Sequence, residues 1–216
     1  MKFVAISKFL LILILPFLIF LIALNFVSFD MSFYEKKFSE YKVQQEVPEA
    51  SSLNEKIIDF ITGKNNELPN EFNEREKQHL WDVRKIVSAS TIALYAFIAL
   101  FILLLVISAF ILKVNSYILN FVGKVLVFGG FLTVILAMIL FFLINSDFSA
   151  TFESFHRLFF EKGTYVFDPA KEMIVRLYPE QIFTDLGINV SKGVIIASAT
   201  LILLGALLVF KSKKNK

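Results

Sequence analysis

Long apolar runs, separated by one short basic connection and two long polar ones, organise this chain of 216 residues. Four runs, Phe9 to Phe29, Ile86 to Leu112, Ile118 to Ile144 and Val194 to Phe210, approach the roughly 20 apolar residues that cross a hydrocarbon core. No acidic or basic residue lies deep inside any of them, although Lys124 sits near one end of the third. The first run follows Lys2 and Lys8, is longer than a signal-peptide core and is not followed by a small-x-small cleavage pattern. It reads as a retained anchor.

The connections carry a different period. After the first run, Phe33, Lys37, Phe38 and Tyr41 recur at helical spacing, which predicts an amphipathic segment resting on the membrane surface. Ser52-Leu53-Asn54-Glu55 has the pattern of a capping box opening a short helix with Leu53, Ile57, Ile58 and Ile61, and Gly63 is its expected stop. Asn65 to Pro69 reads as a turn. A second capping box, Asn73-Glu74-Arg75-Glu76, opens a helix expected to run through His79 into the second span. Beyond the third span, Phe148, Phe152, Phe155 and Phe159 fall within about 60° of one another on a helical wheel, with His156 at the edge of that stripe. Gly163 is the expected stop, Tyr165 to Phe167 a short extended piece, and Asp168-Pro169 a cap and first residue before a helix at Met173 to Leu177. Pro179 interrupts, and Ser191 is expected to cap the last span. Gly129, Thr133 and Ala137 form a small-residue ridge suited to close helix packing in lipid.

Composition and charge then sharpen the class. An apolar content of 56% with no cysteine indicates an all-α membrane protein, and it removes both disulfides and a thiol nucleophile. The N-terminus, the second connection and the C-terminus carry Lys2, Lys8, Lys113, Lys124, Lys211, Lys213, Lys214 and Lys216 without any acid, the positive-inside pattern. Of the 19 acids, 12 fall between Asp30 and Lys85 and 7 between Asn145 and Lys192. The expected arrangement is therefore four transmembrane helices with a mostly helical extracytoplasmic cap and both termini cytoplasmic. By residue, 1–29 hold the cytoplasmic start and first span, and 30–85 the first part of the cap with a stalk helix. Residues 86–144 hold the second and third spans, 145–192 the second part of the cap, and 193–216 the fourth span and basic tail. The formal charge of +3 is a topology signal in this setting, with no bearing on nucleic acid.

The chain has two histidines, and both are placed on the same side of the membrane at similar depth. His79 lies roughly 10 Å outside Ile86 by helical rise. Asp82, three residues on, can accept a bond from one ring nitrogen and leave the other for a substrate. His156 lies among phenylalanines. Each has the alternative of a plain interfacial residue. Metal ligation is a further alternative, because Glu76-x-x-His79 and Glu153-x-x-His156 have the spacing of di-iron bundles, but the first and fourth spans supply no further carboxylates within the bilayer. Acid–base catalysis suits an imidazole at neutral pH. A serine-hydrolase elbow and a phosphate loop are absent from the sequence. A transporter would carry ionisable residues inside its spans, and here they carry only Asn25 and a few Ser and Thr. A non-catalytic lipid- or partner-binding protein is the other reading.

Two stretches carry a family likeness: His79-Leu80-Trp81-Asp82-Val83-Arg84, and the spaced elements Asp147-Phe148, Phe155-His156, Phe159-Phe160, Phe167-Asp168-Pro169 and Tyr178-Pro179-Glu180 to Phe183. With the four-span layout, they resemble the small membrane proteins that include the lipoprotein intramolecular transacylases. The resemblance implies an acyltransferase in the cell membrane, without cofactor or metal, whose partner is a diacylated lipoprotein. An acyl chain would move from a glyceryl ester to the α-amine of the same diacylglyceryl-cysteine, giving a lyso-form lipoprotein. His79 and His156 would be the acid and base, with Asp82 orienting His79. Arg157 or Tyr165 would steady the oxyanion, and Phe148, Phe152, Phe155, Phe159 and Phe160 would line the lipid-head pocket.

Overall fold

The computed structural model describes residues 1–161 and 163–214. Among them the regular structure is entirely helical: α1 (Lys2–Ser28), α2 (Met31–Glu40), α3 (Val43–Glu46), α4 (Ala50–Ile61), α5 (Glu74–Leu112), α6 (Asn115–Ser146), α7 (Phe148–Phe159), α8 (Met173–Leu177) and α9 (Glu180–Lys214). Four of these, α1, α5, α6 and α9, are long and apolar enough to cross a membrane, as the hydrophobic runs predict. The chain divides into two compact units, one comprising Met1–Leu24, Ile92–Phe142 and Asn189–Lys216, the other Asn25–Thr91 and Leu143–Ile188.

The first unit is a helix bundle whose interior holds Leu11, Ile14 and Leu18 of α1, Leu104 of α5, and Phe121 and Val125 of α6. Small residues let its backbones approach. The predicted ridge on α6 is realised: Thr133 and Ala137 are fully buried, and a Cβ at Gly129 would sit 2.7 Å from a methyl of Leu15. Gly123 of α6 meets Gly205 of α9 backbone to backbone, since a Cβ on either would lie 2.7 Å from the other's carbonyl oxygen. Any larger residue at either position would push α6 and α9 apart. In this apolar setting, Ser108 donates to Ser7 Oγ at 2.8 Å and Ser7 to the Leu104 carbonyl at 3.3 Å, so each hydroxyl finds a partner inside the bundle.

The second unit has its own core, centred on Phe33 and Phe38 of α2, Leu53 and Phe60 of α4, Phe72, and Leu177 of α8. The amphipathic face of α2 is thus buried against protein instead of lying on lipid. Phe38 is fully enclosed and its ring lies 6.3 Å from that of Tyr178. The surface-lying expectation fails because helical periodicity marks an apolar face but does not say what covers it. Helix α4 begins at Ala50, so Ser52 is already inside it and makes no cap; its end behaves as predicted. Gly63 adopts φ 82°, its N–H reaches the Phe60 carbonyl at 3.1 Å and that of Lys64 reaches Asp59 at 2.8 Å, the paired bonds of a Schellman stop. Close by, Trp81 of α5 meets Phe60 edge-on at 4.8 Å, and the Arg84 guanidinium covers both rings.

Two further boundaries differ from the sequence reading. Ser191 lies fully buried inside α9, which begins at Glu180, because the apolar positions Ile182, Phe183 and Leu186 continue the helical period back to Pro179. Asp168 closes a turn, its carboxylate accepting from Ala170 N at 3.0 Å and its carbonyl from Glu172 N at 2.8 Å, and α8 starts only at Met173.

Candidate active site

The site grows from the start of α5. Asn73 Oδ1 accepts from the backbone N–H groups of Arg75 (2.9 Å) and Glu76 (3.0 Å), while Glu76 Oε2 accepts from Asn73 N (2.8 Å), the reciprocal capping box the sequence encodes. Glu76 is 1% exposed, and its other oxygen accepts from Ile174 N at 2.7 Å, satisfying a backbone donor at the start of α8. One carboxylate thereby fixes both the stalk of α5 and the segment that returns beside it. His79 follows three residues later on this pinned turn.

Helix α7 supplies the other imidazole. Asp147 caps it through Ala150 N at 2.9 Å, and His156 is its one buried side chain. The rings of His79 and His156 lie nearly parallel, 18° apart in plane, with centroids 6.1 Å apart. They are 8% and 7% exposed. Phe160 is 4.8 Å from His79 and 5.2 Å from His156, Phe167 stands edge-on to His79 at 5.3 Å, and Tyr165 and Phe152 flank His156 at 5.0 and 4.0 Å. The predicted juxtaposition of the two histidines is present.

Hydrogen bonding distinguishes the two rings. His156 Nδ1 lies 2.8 Å from the Phe152 carbonyl oxygen, which can only accept, so the proton resides on Nδ1 and Nε2 keeps its lone pair. His79 Nδ1 is buried without a hydrogen-bond partner. Asp82 does not serve it, contrary to the sequence reading, because that carboxylate accepts from Lys85 at 2.8 Å and Gln78 at 3.4 Å. Helical spacing allows a 79–82 contact, but Lys85, three residues beyond Asp82, is a charged competitor.

Burial sets the protonation of the pair. It holds His79 down to about 4, with the nearby His156 acting in the same direction and Asp82 opposing. His156 is also lowered by burial, against the pull of its bond to Phe152. A histidine whose folded pKa lies below its ordinary value near 6.5 stabilises the fold above that pH, and the contribution is lost as pH falls toward 4. For His79 this is on the order of 3 kcal/mol. Unfolding in detergent followed across this window is expected to show the protein weakening from about pH 6.5 downward. The loss is expected to shrink in His79→Gln.

The remaining predicted residues divide. Phe152 and Phe160 wall the pocket, and the Phe148 ring lies behind that of Phe152 at 5.4 Å. Phe155 and Phe159 are each 48% exposed, so the phenylalanine stripe is not the buried face of α7; burial centres on His156 because Phe160 and Tyr165 pack against it and Phe183 packs on its neighbour Phe152. Arg157 is exposed and bonded to Glu153 through Nε at 3.1 Å, which makes it a weak candidate for an oxyanion partner. Gly163 does not end α7, which stops at Phe159 with an extended Phe160. Phe167, Phe183, Arg75 and Glu172 also surround the pocket; Phe167 and Phe183 lie in the spaced elements quoted above and Arg75 stands one helical turn before His79, whereas nothing in the sequence singles out Glu172. The metal alternative finds no donor set among the described residues, for both Glu76 oxygens hold backbone N–H groups and Glu153 is paired with Arg157.

The described residues thus combine four helices long and apolar enough to cross a membrane with a pair of buried imidazoles enclosed by aromatic rings, the frame of a helical membrane protein. The chain belongs to the lipoprotein intramolecular transacylase family: the model of that family, described as lipoprotein intramolecular transacylase Lit, matches residues 9–183. The likeness read from the histidine motifs is thereby established. No curated protein sequence matches the chain. Among solved structures, the membrane integral lipoprotein intramolecular transacylase Lit from Bacillus cereus aligns with a TM-score of 0.85, 21% identity and 98% of each chain covered. Two structures of the same Bacillus cereus protein, with a histidine replaced by arginine or by alanine, align with TM-scores of 0.80 at 21% identity. They cover 99% and 98% of this chain, and 95% and 96% of theirs. These alignments establish the shared fold.

Proposed function

We propose that this chain transfers an acyl chain from the glyceryl ester of a diacylglyceryl-cysteine lipoprotein to the α-amine of that same cysteine, with His156 as base and His79 at the leaving oxygen. The observation that carries the reading is the buried, parallel histidine pair with one tautomer fixed. The folded second unit faces the extracytoplasmic side and both termini the cytoplasm, supported by the separation of lysines from acids along the sequence. The domain layout follows the same division, with residues 30–85 and 145–192 forming the outer cap.

The chemistry follows from the protonation states. A free α-amine has a pKa near 8 and attacks only when uncharged. As its nitrogen bonds to the ester carbonyl, His156 Nε2 accepts the proton that the nitrogen loses. Burial and mutual repulsion disfavour a second charge on the pair, so it carries this one proton through the tetrahedral intermediate. Collapse breaks the bond between the acyl carbon and the glyceryl oxygen, and the proton returns to that oxygen beside His79. The pair ends neutral, as it began. The ester-to-amide exchange is downhill and intramolecular, so the aromatic walls contribute mainly by holding the amine against the ester and excluding water. Tyr165, whose ring lies 5.0 Å from that of His156, is the donor proposed for the oxyanion.

The test is mass spectrometry of a synthetic diacylglyceryl-cysteine lipopeptide incubated with the purified protein in detergent. The expected product has unchanged mass, with one acyl group moved to nitrogen in the fragment spectrum. Its formation should rise with pH along the titration of the substrate amine near 8, because the histidines are already neutral below that range. An unchanged acyl position would reduce the protein to a lipid-binding role.

A further inference from the structure

The segment from Gly163 to Glu172 holds no helix or strand, yet it supplies two of the rings that enclose the imidazoles, Tyr165 against His156 and Phe167 against His79. Such a segment needs something to hold it. One side chain meets it at several points. Arg75 donates from Nη2 to the carbonyls of Gly163 (3.0 Å) and Val166 (2.5 Å) and from Nη1 to Glu172 Oε1 (2.9 Å), and its guanidinium carbon lies 5.2 Å from the Phe167 ring centre. Glu172 is 5% exposed, and its second oxygen accepts from Asp168 N. The planar fork of an arginine can hold two carbonyls and a carboxylate together, whereas a lysine ammonium is a single point on a flexible stem. Arg75 also stands one turn before His79 on the same helix, so whatever it grips is placed relative to that ring.

We propose that Arg75 is a positioning residue for the transfer: with Glu172 it latches the 163–172 segment onto α5 and so sets Tyr165 and Phe167 as the closed wall over the histidine pair. The inference rests on the acyl-transfer reading for its kinetic consequence only. When the latch is loosened the wall residues remain in the sequence but lose their register, so the substrate still partitions from lipid and binds while its amine and ester are held less well. The cost therefore falls on kcat more than on KM.

The experiment compares wild type, Arg75→Lys and Glu172→Gln on the lipopeptide in detergent, with ¹⁵N-histidine NMR of the same samples. Arg75→Lys is expected to lose about 10- to 100-fold in kcat with KM changed less than about threefold, a misplacement effect. Glu172→Gln is expected to lose less in the same direction. In parallel, water admitted by the loosened wall is expected to raise the His79 titration from about 4 toward its ordinary value. The groups acting on that ring, His156 from α7 and Asp82 on its own helix, are unaltered in both variants. Wild-type kcat with wild-type His79 titration in Arg75→Lys would overturn the proposal. So would activity lost only in proportion to folded protein, with the His79 titration of the folded fraction unmoved. If the wild-type protein converts no lipopeptide, the acyl-transfer reading falls, and the His79 titration still decides the latch.

Discussion

His156→Gln is expected to reduce acyl transfer by about 10²- to 10⁴-fold, the range a positioned general base supplies. Glutamine approximates the length of the side chain and offers a polar end, but it cannot accept a proton at neutral pH. The loss should appear in kcat, and mass spectrometry of the lipopeptide product over a long incubation measures it. The fold should survive the change, because what His156 contributes to packing is a ring among Phe152, Phe160 and Tyr165, and its one hydrogen bond goes to a helical carbonyl of its own helix. His79→Gln should lose a comparable factor if His79 attends the leaving oxygen. The double variant should lose little more than either alone, since both act on one proton. Independent, multiplying losses would contradict the single-proton scheme.

Glu76→Ala is expected to be the most destabilising single change outside the hydrophobic core. Its carboxylate answers two backbone donors, Asn73 N at the head of α5 and Ile174 N at the head of α8, and the side chain is 1% exposed. Removing it leaves the Ile174 donor buried without a partner and takes away half of the capping box. Together these cost about 2–4 kcal/mol. Reversible denaturation in micelles measures the loss, and Glu76→Gln, which retains one acceptor oxygen, should lose clearly less. Activity should fall with Glu76→Ala as well, because His79 sits on the turn that this carboxylate anchors. An alanine variant as stable as wild type would mean that water replaces both bonds.

These two residues also show what the sequence makes legible. The capping box at Asn73 and Glu76 is local, so its residue types and spacing announce it, and the same holds for the Gly63 stop and the four apolar runs. His79 and His156 are legible as a pair because each adjoins an apolar run whose depth is set by helical rise. What escapes is every partner fixed by tertiary return. The bond from Ile174 to Glu76 spans 98 positions and that from Arg75 to Glu172 spans 97, and no periodicity links such residues. The direction of α7 escapes for a related reason. Its phenylalanines define a stripe by composition, but the buried side is decided by Tyr165 and Phe183, which arrive from elsewhere in the chain. Asp82 is a third kind of case. Spacing allowed it two partners, and the competition between His79 and Lys85 is settled by charge and exposure, which a helical wheel does not contain.

The edge-on contact of Trp81 with Phe60, under the Arg84 guanidinium, has a practical consequence. Trp81 is the chain's single tryptophan, so intrinsic indole emission arises from one fluorophore, located in the unit that carries both histidines. Its quenching and spectral position, excited at the red edge where tyrosine no longer absorbs, therefore give an unlabelled optical signal for that unit, because the bundle's Tyr95 and Tyr117 stay silent there.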